Sequence, residues 1–354
     1  MEEKVTVLQV CAYTAVYGGN FIASIEALAI DMEKNGVITE FLFPVTVKDR
    51  PWCLEMNKRW KIYFADLNRF SLKTYFQIKA AMKNATIVHS HFELYDVLVY
   101  FAARRQSIYW HLHDSFDENI DLPHRIINKF QYKVFSKGVV LISPNSYYSD
   151  YVVKIGFNGK NVRVVDNCID LSRLSYKNSE KKYDFLIFGG FYYTKGLDVL
   201  LNACRMLKKE CSFKLGIVGY KDTWKWIDDN YGDLSDVICR VEPNENVSEL
   251  YNSAGVFICS SRRENFPYSL LEALFLKKPA IVSKIAGTKW AQFYETVKVF
   301  DIADCAQLKE EMKNSLMNKT TFTEESLNAV SKDVAQKYSI DNWVKNIERI
   351  YFHE

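Results

Sequence analysis

The chain has 354 residues, of which 48% are apolar and 25% charged, a composition typical of a globular protein rather than a disordered or fibrous one. This length exceeds one ordinary hydrophobic core, so we expect two domains. The net charge of +3 is too small to indicate nucleic-acid binding. No apolar run approaches the ~20 residues of a membrane span.

The cysteines and the first residues predict a reducing compartment. None of the eight cysteines forms a Cys-x-x-Cys pair, so we expect thiols in neither a disulfide framework nor a zinc site. The chain starts acidic and then strand-like, without the basic start and apolar core of a signal peptide. The expected location is therefore the cytoplasm.

The first stretch predicts a Rossmann-type unit. An apolar strand over 5–10 leads to Gly18 and Gly19 in a loop, the apolar residues of 21–32 recur at helical spacing, and a second strand covers 39–44. A glycine pair alone indicates a tight turn more readily than a phosphate-binding turn.

Residues 48–83 combine basic and aromatic side chains. Nine lysines and arginines stand against three acidic residues, and seven aromatics interleave with them. Such a surface can rest on an anionic bilayer. A solvated pair of helices that covers a sheet is the interpretation we favour.

Histidines follow two successive predicted strands. One strand ends in His89 and His91, and the next, over 106–110, is followed by His111 and His113. A lone histidine is more often a satisfied structural group. Two such pairs at strand ends favour a ligand-binding role, and we expect them to point into a cleft between domains.

A helix predicted over 123–138 repeats a basic residue every fourth position, which places these residues on one face: Arg125, Lys129, Lys133 and Lys137. We expect this face to be solvated, with a membrane or an acceptor phosphate as the alternative contact. The buried side is predicted to comprise Ile126, Ile127, Phe130, Val134 and Phe135.

The polar stretch 169–182 predicts a linker between an N-terminal domain, 1–168, and a C-terminal domain, 183–339. The second domain opens with an apolar strand, and Lys195 stands at the start of the helix that follows. A cation there opposes the helix dipole, so it makes sense if an anion lies between the lysine and the backbone.

Two carboxylates, Glu264 and Glu272, are separated by seven residues in a predicted strand–loop–helix unit. The first is expected in the loop and the second in the first helical turn. The main-chain amides at 266, 268 and 269 lie at the helix start and can hold a phosphate. Alternatively, Ser269 and Glu272 form a capping box, which makes Glu272 structural.

This unit resembles the signature of the retaining glycosyltransferases of family 4. The Glu-x7-Glu spacing of Glu264 and Glu272 and the later Gly287 follow the family pattern, whereas Asn265 and Lys278 replace glycines. The resemblance implies an α/β protein of the GT-B fold, with two Rossmann-like domains facing across a cleft. The helix at about 340–354 is then expected to cross back onto the first domain.

The resemblance also implies site roles. Lys195 would neutralise the leaving diphosphate, Glu264 would hold the donor sugar, and His113 would hydrogen-bond that sugar. Gly190 replaces a family arginine, and we hypothesise that Arg262 or Arg263 supplies the missing charge. The implied donor-binding residues are Gly18, Gly19, Gly190, Gly219, Arg240, Glu242, Asn265, Phe266, Pro267, Tyr268, Ser269 and Glu272.

The implied reaction transfers a sugar, with retention, from a nucleotide-sugar to a hydroxyl of a glycan or lipid-linked acceptor in bacterial surface polysaccharide synthesis. UDP is the default nucleotide. No metal or other cofactor is expected, because no Asp-x-Asp motif is present and Lys195 takes the place of a cation. A non-catalytic subunit that binds a nucleotide-sugar and partners another glycosyltransferase is the alternative.

Overall fold

The computed structural model describes residues 4–113, 122–317 and 322–353. The chain divides into two compact units. Unit 1 comprises Met1–Cys168 with Ile340–Glu354, and unit 2 comprises Ile169–Ser339.

Within its described residues, unit 1 has seven strands: β1 (Thr6–Cys11), β2 (Ile38–Pro44), β3 (Lys61–Ala65), β4 (Ile87–His91), β5 (Ser107–His111), β6 (Val139–Ser143) and β7 (Val162–Val164). All neighbouring pairs are parallel, in the order β3-β2-β1-β4-β5-β6-β7. The order reverses direction between β1 and β4, as in a Rossmann sheet.

Helices connect these strands: α1 (Gly19–Lys34), α2 (Pro51–Met56), α3 (Leu72–Ala81), α4 (Asp96–Ala102), α5 (Leu122–Phe135) and α6 (Ser146–Lys154). Successive side chains of a strand point to opposite faces of its sheet, so unit 1 has a core on each face. On β1, Val7 and Cys11 join the core that contains α1, whereas Leu8 and Val10 join the other core.

Unit 2 repeats this plan with six described strands: β8 (Tyr183–Phe188), β9 (Leu215–Val218), β10 (Ile238–Val241), β11 (Ala254–Cys259), β12 (Ala280–Ser283) and β13 (Val297–Phe300). They are also parallel, in the order β10-β9-β8-β11-β12-β13, which reverses between β8 and β11. The prediction of an α/β protein with two Rossmann-like domains is confirmed.

The helices of unit 2 are α7 (Leu197–Leu207), α8 (Lys221–Tyr231), α9 (Val247–Asn252), α10 (Tyr268–Phe275), α11 (Cys305–Leu316) and α12 (Glu324–Lys337). The last helix of the chain, α13 (Ile340–Phe352), belongs to unit 1. Its residues Trp343, Ile347 and Ile350 are buried in the same core as α1, as expected for a helix that returns to the first domain.

The predicted linker is fixed to unit 2. Leu174 is buried, and the main-chain amides of Ser175 and Lys177 donate to Ser248 Oγ at 3.0 Å and Asn252 Oδ1 at 3.1 Å. Asn252 Nδ2 donates to the Ser175 carbonyl at 2.8 Å. The segment therefore lies along α9 and is not a free tether.

The basic and aromatic stretch contains an edge strand as well as helices α2 and α3, so the expectation of a helix pair alone is wrong. Its β3 pairs with β2. Several of its basic side chains have acidic partners: Arg59 with Glu33 at 2.7 Å, and Lys61 with Glu40 at 3.2 Å. Phe70 remains 86% exposed.

The predicted buried side of α5 is confirmed for Phe135 and wrong for three other residues. Ile126, Phe130 and Val134 are exposed, while Tyr132 and Phe135 on the opposite side of the helix are buried. Lys129, Lys133 and Lys137 are exposed as predicted, and the side chains of Arg125 and Ile127 lie outside the described residues. No described helix combines the length and the apolar composition needed to cross a bilayer.

Candidate functional site

The C-terminal ends of β8 and β11 lie side by side where the strand order of unit 2 reverses. Ligands of open α/β sheets bind in the crevice at such a point. The chain leaves β8 through the loop that carries Lys195, and it leaves β11 through the loop that carries Glu264. The fold therefore brings two predicted catalytic residues to one edge of the sheet.

Lys195 and Glu264 form an ion pair, with 2.6 Å between Nζ and Oε1. Ser261 Oγ donates to the same carboxylate oxygen at 2.8 Å. The two charged side chains are 27% and 15% exposed. Burial opposes the charged form of Lys195, but the Glu264 carboxylate outweighs it and raises the lysine pKa. The two residues thus form a partly buried ion pair.

The two loops are locked together by close backbone contacts. Gly196 has φ +63°, and a Cβ there would lie 2.0 Å from the Ser260 carbonyl oxygen. Ser260 Oγ donates to the carbonyls of Lys195 and Gly196 at 2.9 and 3.1 Å. A Cβ at Gly287 would lie 2.2 Å from the Glu264 carbonyl oxygen. These glycines permit the approach that positions both charges.

Helix α10 starts beside this pair, and the alternative of a capping box formed by Ser269 and Glu272 is wrong. Pro267 is the N-cap residue, and no side chain caps the helix. Glu272 lies in the second turn rather than the first, because the helix begins at Tyr268. Its Oε2 lies 3.0 Å from Tyr251 Oη, which also donates to the Ser269 carbonyl at 2.8 Å. Glu272 is therefore held by a tyrosine and not by the helix start.

The residues before α10 serve mainly as support. Phe266 is buried and stacks on Trp290 with 4.9 Å between ring centroids and 9° between planes. Asn265 is also buried. Only the main chain of this segment can face a ligand, and the first turn of a helix directs its N–H groups that way.

Several predicted donor residues of unit 2 do not join this pair. Arg240 contacts α8, as an ion pair with Asp228 and 5.6 Å above the ring of Trp224. Glu242 is exposed after β10. Gly219 packs closely on α8, whereas a Cβ at Gly190 would meet no atom within 4 Å.

Arg262, which we hypothesise to supply the missing charge, is paired with Asp198 in this structure. Its guanidinium binds Asp198 through two contacts of 2.6 Å and donates to the Tyr193 carbonyl at 2.8 Å. Arg263 is exposed. The sequence alone did not indicate the roles of Asp198 and Ser261. Ser261 could have been found, because its hydroxyl lies two residues after the end of the buried strand β11.

In unit 1, the predicted glycines lie at the start of α1. Gly19 has φ +59°, a conformation that favours glycine. Tyr13 Oη lies 2.8 Å from the Tyr17 carbonyl and 3.0 Å from the Gly18 carbonyl, and so shapes the turn. This turn follows β1 at the reversal point of its own sheet.

Three of the four strand-end histidines, which the sequence predicts to point into a cleft, are buried in unit 1. His89, His91 and His111 are at most 1% exposed, because α13 covers this face of the sheet. His113 is half-buried, stacks on Phe92 at 4.1 Å and lies 3.0 Å from His91. Burial lowers the pKa of all four imidazoles below the usual range.

Two family models match consecutive stretches of the chain. Glycosyltransferase Family 4 matches residues 46–173, and Glycosyl transferases group 1 matches residues 170–317. The second match contains the Lys195–Glu264 pair.

Curated relatives are similar over about half of their own length. An uncharacterized glycosyltransferase of Methanocaldococcus jannaschii is 26% identical over 56% of this chain and 53% of its own. The amylovoran biosynthesis glycosyltransferase AmsD of Erwinia amylovora is 30% identical over 44% of this chain and 46% of its own.

The solved structure of HepE from Anabaena in complex with UDP-glucose superposes with a TM-score of 0.81. It is 11% identical, and the match covers 98% of this chain and 99% of HepE. This likeness concerns the fold. Together with the two family matches, it shows that the chain has the GT-B fold and is similar to glycosyltransferases over most of its length.

Proposed function

We propose that this protein is a retaining glycosyltransferase that transfers a sugar from a nucleotide-sugar to a hydroxyl acceptor. The observation that carries the proposal is the Lys195–Glu264 pair with Ser261, which stands at the reversal point of the unit 2 sheet. A structural ion pair needs no such location. A cation and a carboxylate at a ligand-binding edge suit a diphosphate bound to a hydroxyl-rich sugar.

Donor binding is proposed to separate the pair. The diphosphate binds Lys195 Nζ in place of Glu264. The lysine then stabilises the charge that develops on the leaving group. Glu264 is released to hold the sugar hydroxyls and to stabilise an oxocarbenium-like carbon. A phosphate oxygen of the leaving group takes the proton of the acceptor hydroxyl, so no separate base is required.

Further contacts follow the family pattern. Main-chain N–H groups at the start of α10 would bind the diphosphate, and Glu272 would hold the ribose hydroxyls. In unit 1, the Gly18-Gly19 turn would approach the diphosphate, and His113 would hydrogen-bond the donor sugar. His113 suits this role because it is neutral: burial, together with the neighbouring histidines, lowers its pKa.

The donor is proposed to be a UDP-sugar, because HepE, which shares the fold, forms complexes with UDP and UDP-glucose. The acceptor is proposed to be a glycan or lipid-linked sugar of a bacterial surface polysaccharide, because AmsD is named for amylovoran biosynthesis. The exposed basic and apolar stripes of α5 fit an enzyme that works in the cytoplasm against an anionic membrane.

The first test is release of UDP from UDP-sugars by the purified protein. Lys195→Met and Glu264→Gln are each expected to reduce release about 100-fold or more, because each removes a group that stabilises the transition state. Lys225→Met, an exposed lysine on α8, is the matched control and should keep full activity. Wild-type release in Lys195→Met would overturn the proposed mechanism.

The second test addresses stereochemistry and metal use. Proton NMR of the first product should show the anomeric configuration of the donor, and an inverted product would exclude retention. Transfer at 25 °C should persist in EDTA, since Lys195 neutralises the diphosphate in place of a cation. Loss of turnover that manganese restores would refute metal-independent transfer.

A further inference from the structure

Three histidines of unit 1 converge beneath α13. One nitrogen from each of His89, His91 and His111 lies within 4.8 Å of the other two. The register of the sheet explains this grouping, because His91 pairs with His111 across β4 and β5 and His89 lies two residues earlier on the same face. The proposed transfer reaction uses none of the three.

Two neighbouring side chains orient these rings. His91 Nε2 lies 2.9 Å from Gln9 Oε1, an atom that only accepts, so Nε2 carries the proton and Nδ1 holds a lone pair. His89 Nδ1 contacts Tyr351 Oη, which accepts from Gln9 Nε2 at 3.2 Å. Metal binding through His89 Nε2 requires the tautomer that carries its proton on Nδ1 and donates it to Tyr351 Oη. Metal-binding histidines are oriented by such outer partners.

The remaining nitrogens lack partners. Among the described residues, no group hydrogen-bonds His89 Nε2 or either nitrogen of His111. A buried polar atom without a partner costs about 1–3 kcal/mol. One ion bound to His89 Nε2 and to one nitrogen of His111 would give two of these three atoms a partner.

The donor set suits a transition metal. Burial and the neighbouring imidazoles hold the pKa of His89 and His91 well below the usual range, and burial lowers that of His111 to about 3. All three rings are therefore neutral at pH 7, which is the form that binds metal. Neutral imidazoles favour zinc, copper or nickel over magnesium or calcium.

Metal binding requires both a contraction of the cluster and a rotation of the rings, because the planes of His89 and His111 are only 7° from parallel. Zinc–nitrogen bonds of ~2.0–2.1 Å separate tetrahedral ligands by about 3.4 Å, so the widest pair must close by about 1.4 Å. His91 Nδ1 lies 3.0 Å from His113 Nε2, so an ion bound to His91 would replace this hydrogen bond.

We propose that His89, His91 and His111 bind one divalent transition-metal ion, with zinc the best fit, and that this ion fastens α13 to the sheet of unit 1. Its role is structural. The ion lies in unit 1 and takes no part in sugar transfer. That reaction is proposed to need no metal, because Lys195 of unit 2 neutralises the diphosphate.

The test uses the full chain without a polyhistidine tag, reduced and stripped with a chelator, and then supplied with cobalt. We expect one cobalt ion per chain after gel filtration, with the visible absorption of tetrahedral nitrogen coordination and without a thiolate charge-transfer band. One equivalent of zinc should abolish this spectrum and raise Tm. Absence of retained metal, or a thiolate band from the cysteines, would overturn the proposal.

Variants locate the ion. His111→Phe keeps a ring against Trp343 and should abolish retention, while Tyr351→Phe should weaken binding ~10–100-fold, because it removes the partner of His89. His353→Gln changes an exposed histidine and should bind as the wild type does. Equal retention by His111→Phe and His353→Gln would place the metal elsewhere and contradict the proposal.

Discussion

Lys278 stands where the family pattern has a glycine, and the fold buries it. Its Nζ lies 3.2 Å from the Ala254 carbonyl, 3.5 Å from the Asn252 carbonyl and 5.9 Å from the ring centroid of Tyr176, and no carboxylate pairs with it among the described residues. Burial, with a smaller contribution from Lys181, lowers its pKa to about 8. A buried cation without an acidic partner weakens the fold.

We expect Lys278→Met to raise the free energy of unfolding by about 2 kcal/mol at pH 7. The unfolded chain binds this proton more tightly than the folded one, so the wild type loses stability as pH falls from 10.5 to 8. The advantage of the variant should thus be full below pH 8 and vanish towards pH 10. Urea unfolding at pH 7 and at pH 10 measures the difference in the free energy of unfolding between variant and wild type. The exposed Lys284→Met variant is the control.

The candidate site divides into residues that sequence could predict and residues that it could not. Lys195 and Glu264 carry charge at strand ends, so the sequence indicates them before any contact is known. Asp198 and Tyr251 become relevant only through partners that are 64 and 21 residues away in the chain, Arg262 and Glu272. Such pairing depends on the folded chain and leaves no local pattern.

At the scale of elements, buried parallel strands and amphipathic helices were predicted well, since their apolar residues follow a clear period. The exceptions have physical causes. The edge strand β3 is only half buried, and its short apolar run, KIYFA, lies among many basic residues that hide it in the sequence. The stripe of Ile126, Phe130 and Val134 on α5 has helical spacing, yet the fold exposes it.

The element that positions Lys195 depends on Gly196. We expect Gly196→Ala to lower Tm and to reduce UDP release more than tenfold, because the new Cβ would lie 2.0 Å from the Ser260 carbonyl and the residue has φ +63°. Gly232→Ala is the matched control, since its Cβ would meet no atom within 4 Å. Differential scanning fluorimetry and the UDP assay compare them. Equal behaviour of the two variants would show that the close contact is not needed.

At the scale of the whole molecule, the histidine cluster shows where sequence reasoning ends. The prediction that strand-end histidines face a cleft ignored the last helix, which supplies Tyr351, a contact 262 residues from His89. The same helix completes the core of unit 1 with Trp343 and Ile347. This distant helix thus buries His89 and His111, whereas His113 stays half-buried.

The two units have separate cores, although the chain of unit 2 runs directly into the helix that completes unit 1. Ile347 of α13 and Val334 of α12 are both fully buried and only 13 residues apart, but they belong to the cores of unit 1 and unit 2. Truncation of either to alanine leaves a cavity that costs about 2–4 kcal/mol. These two positions therefore separate the stability of one unit from that of the other.

We expect Ile347→Ala to accelerate amide hydrogen exchange in β1, β4 and β5 of unit 1, while β8, β11 and β12 of unit 2 keep the wild-type rate. Val334→Ala should do the reverse. The reason is that exchange from a central strand requires opening of the core that covers it, and each variant weakens only one core. Mass spectrometry of peptic peptides measures both units in one sample. If both variants accelerated all six strands alike, the units would unfold as a single cooperative body, and the division of the chain into two independent cores would be wrong.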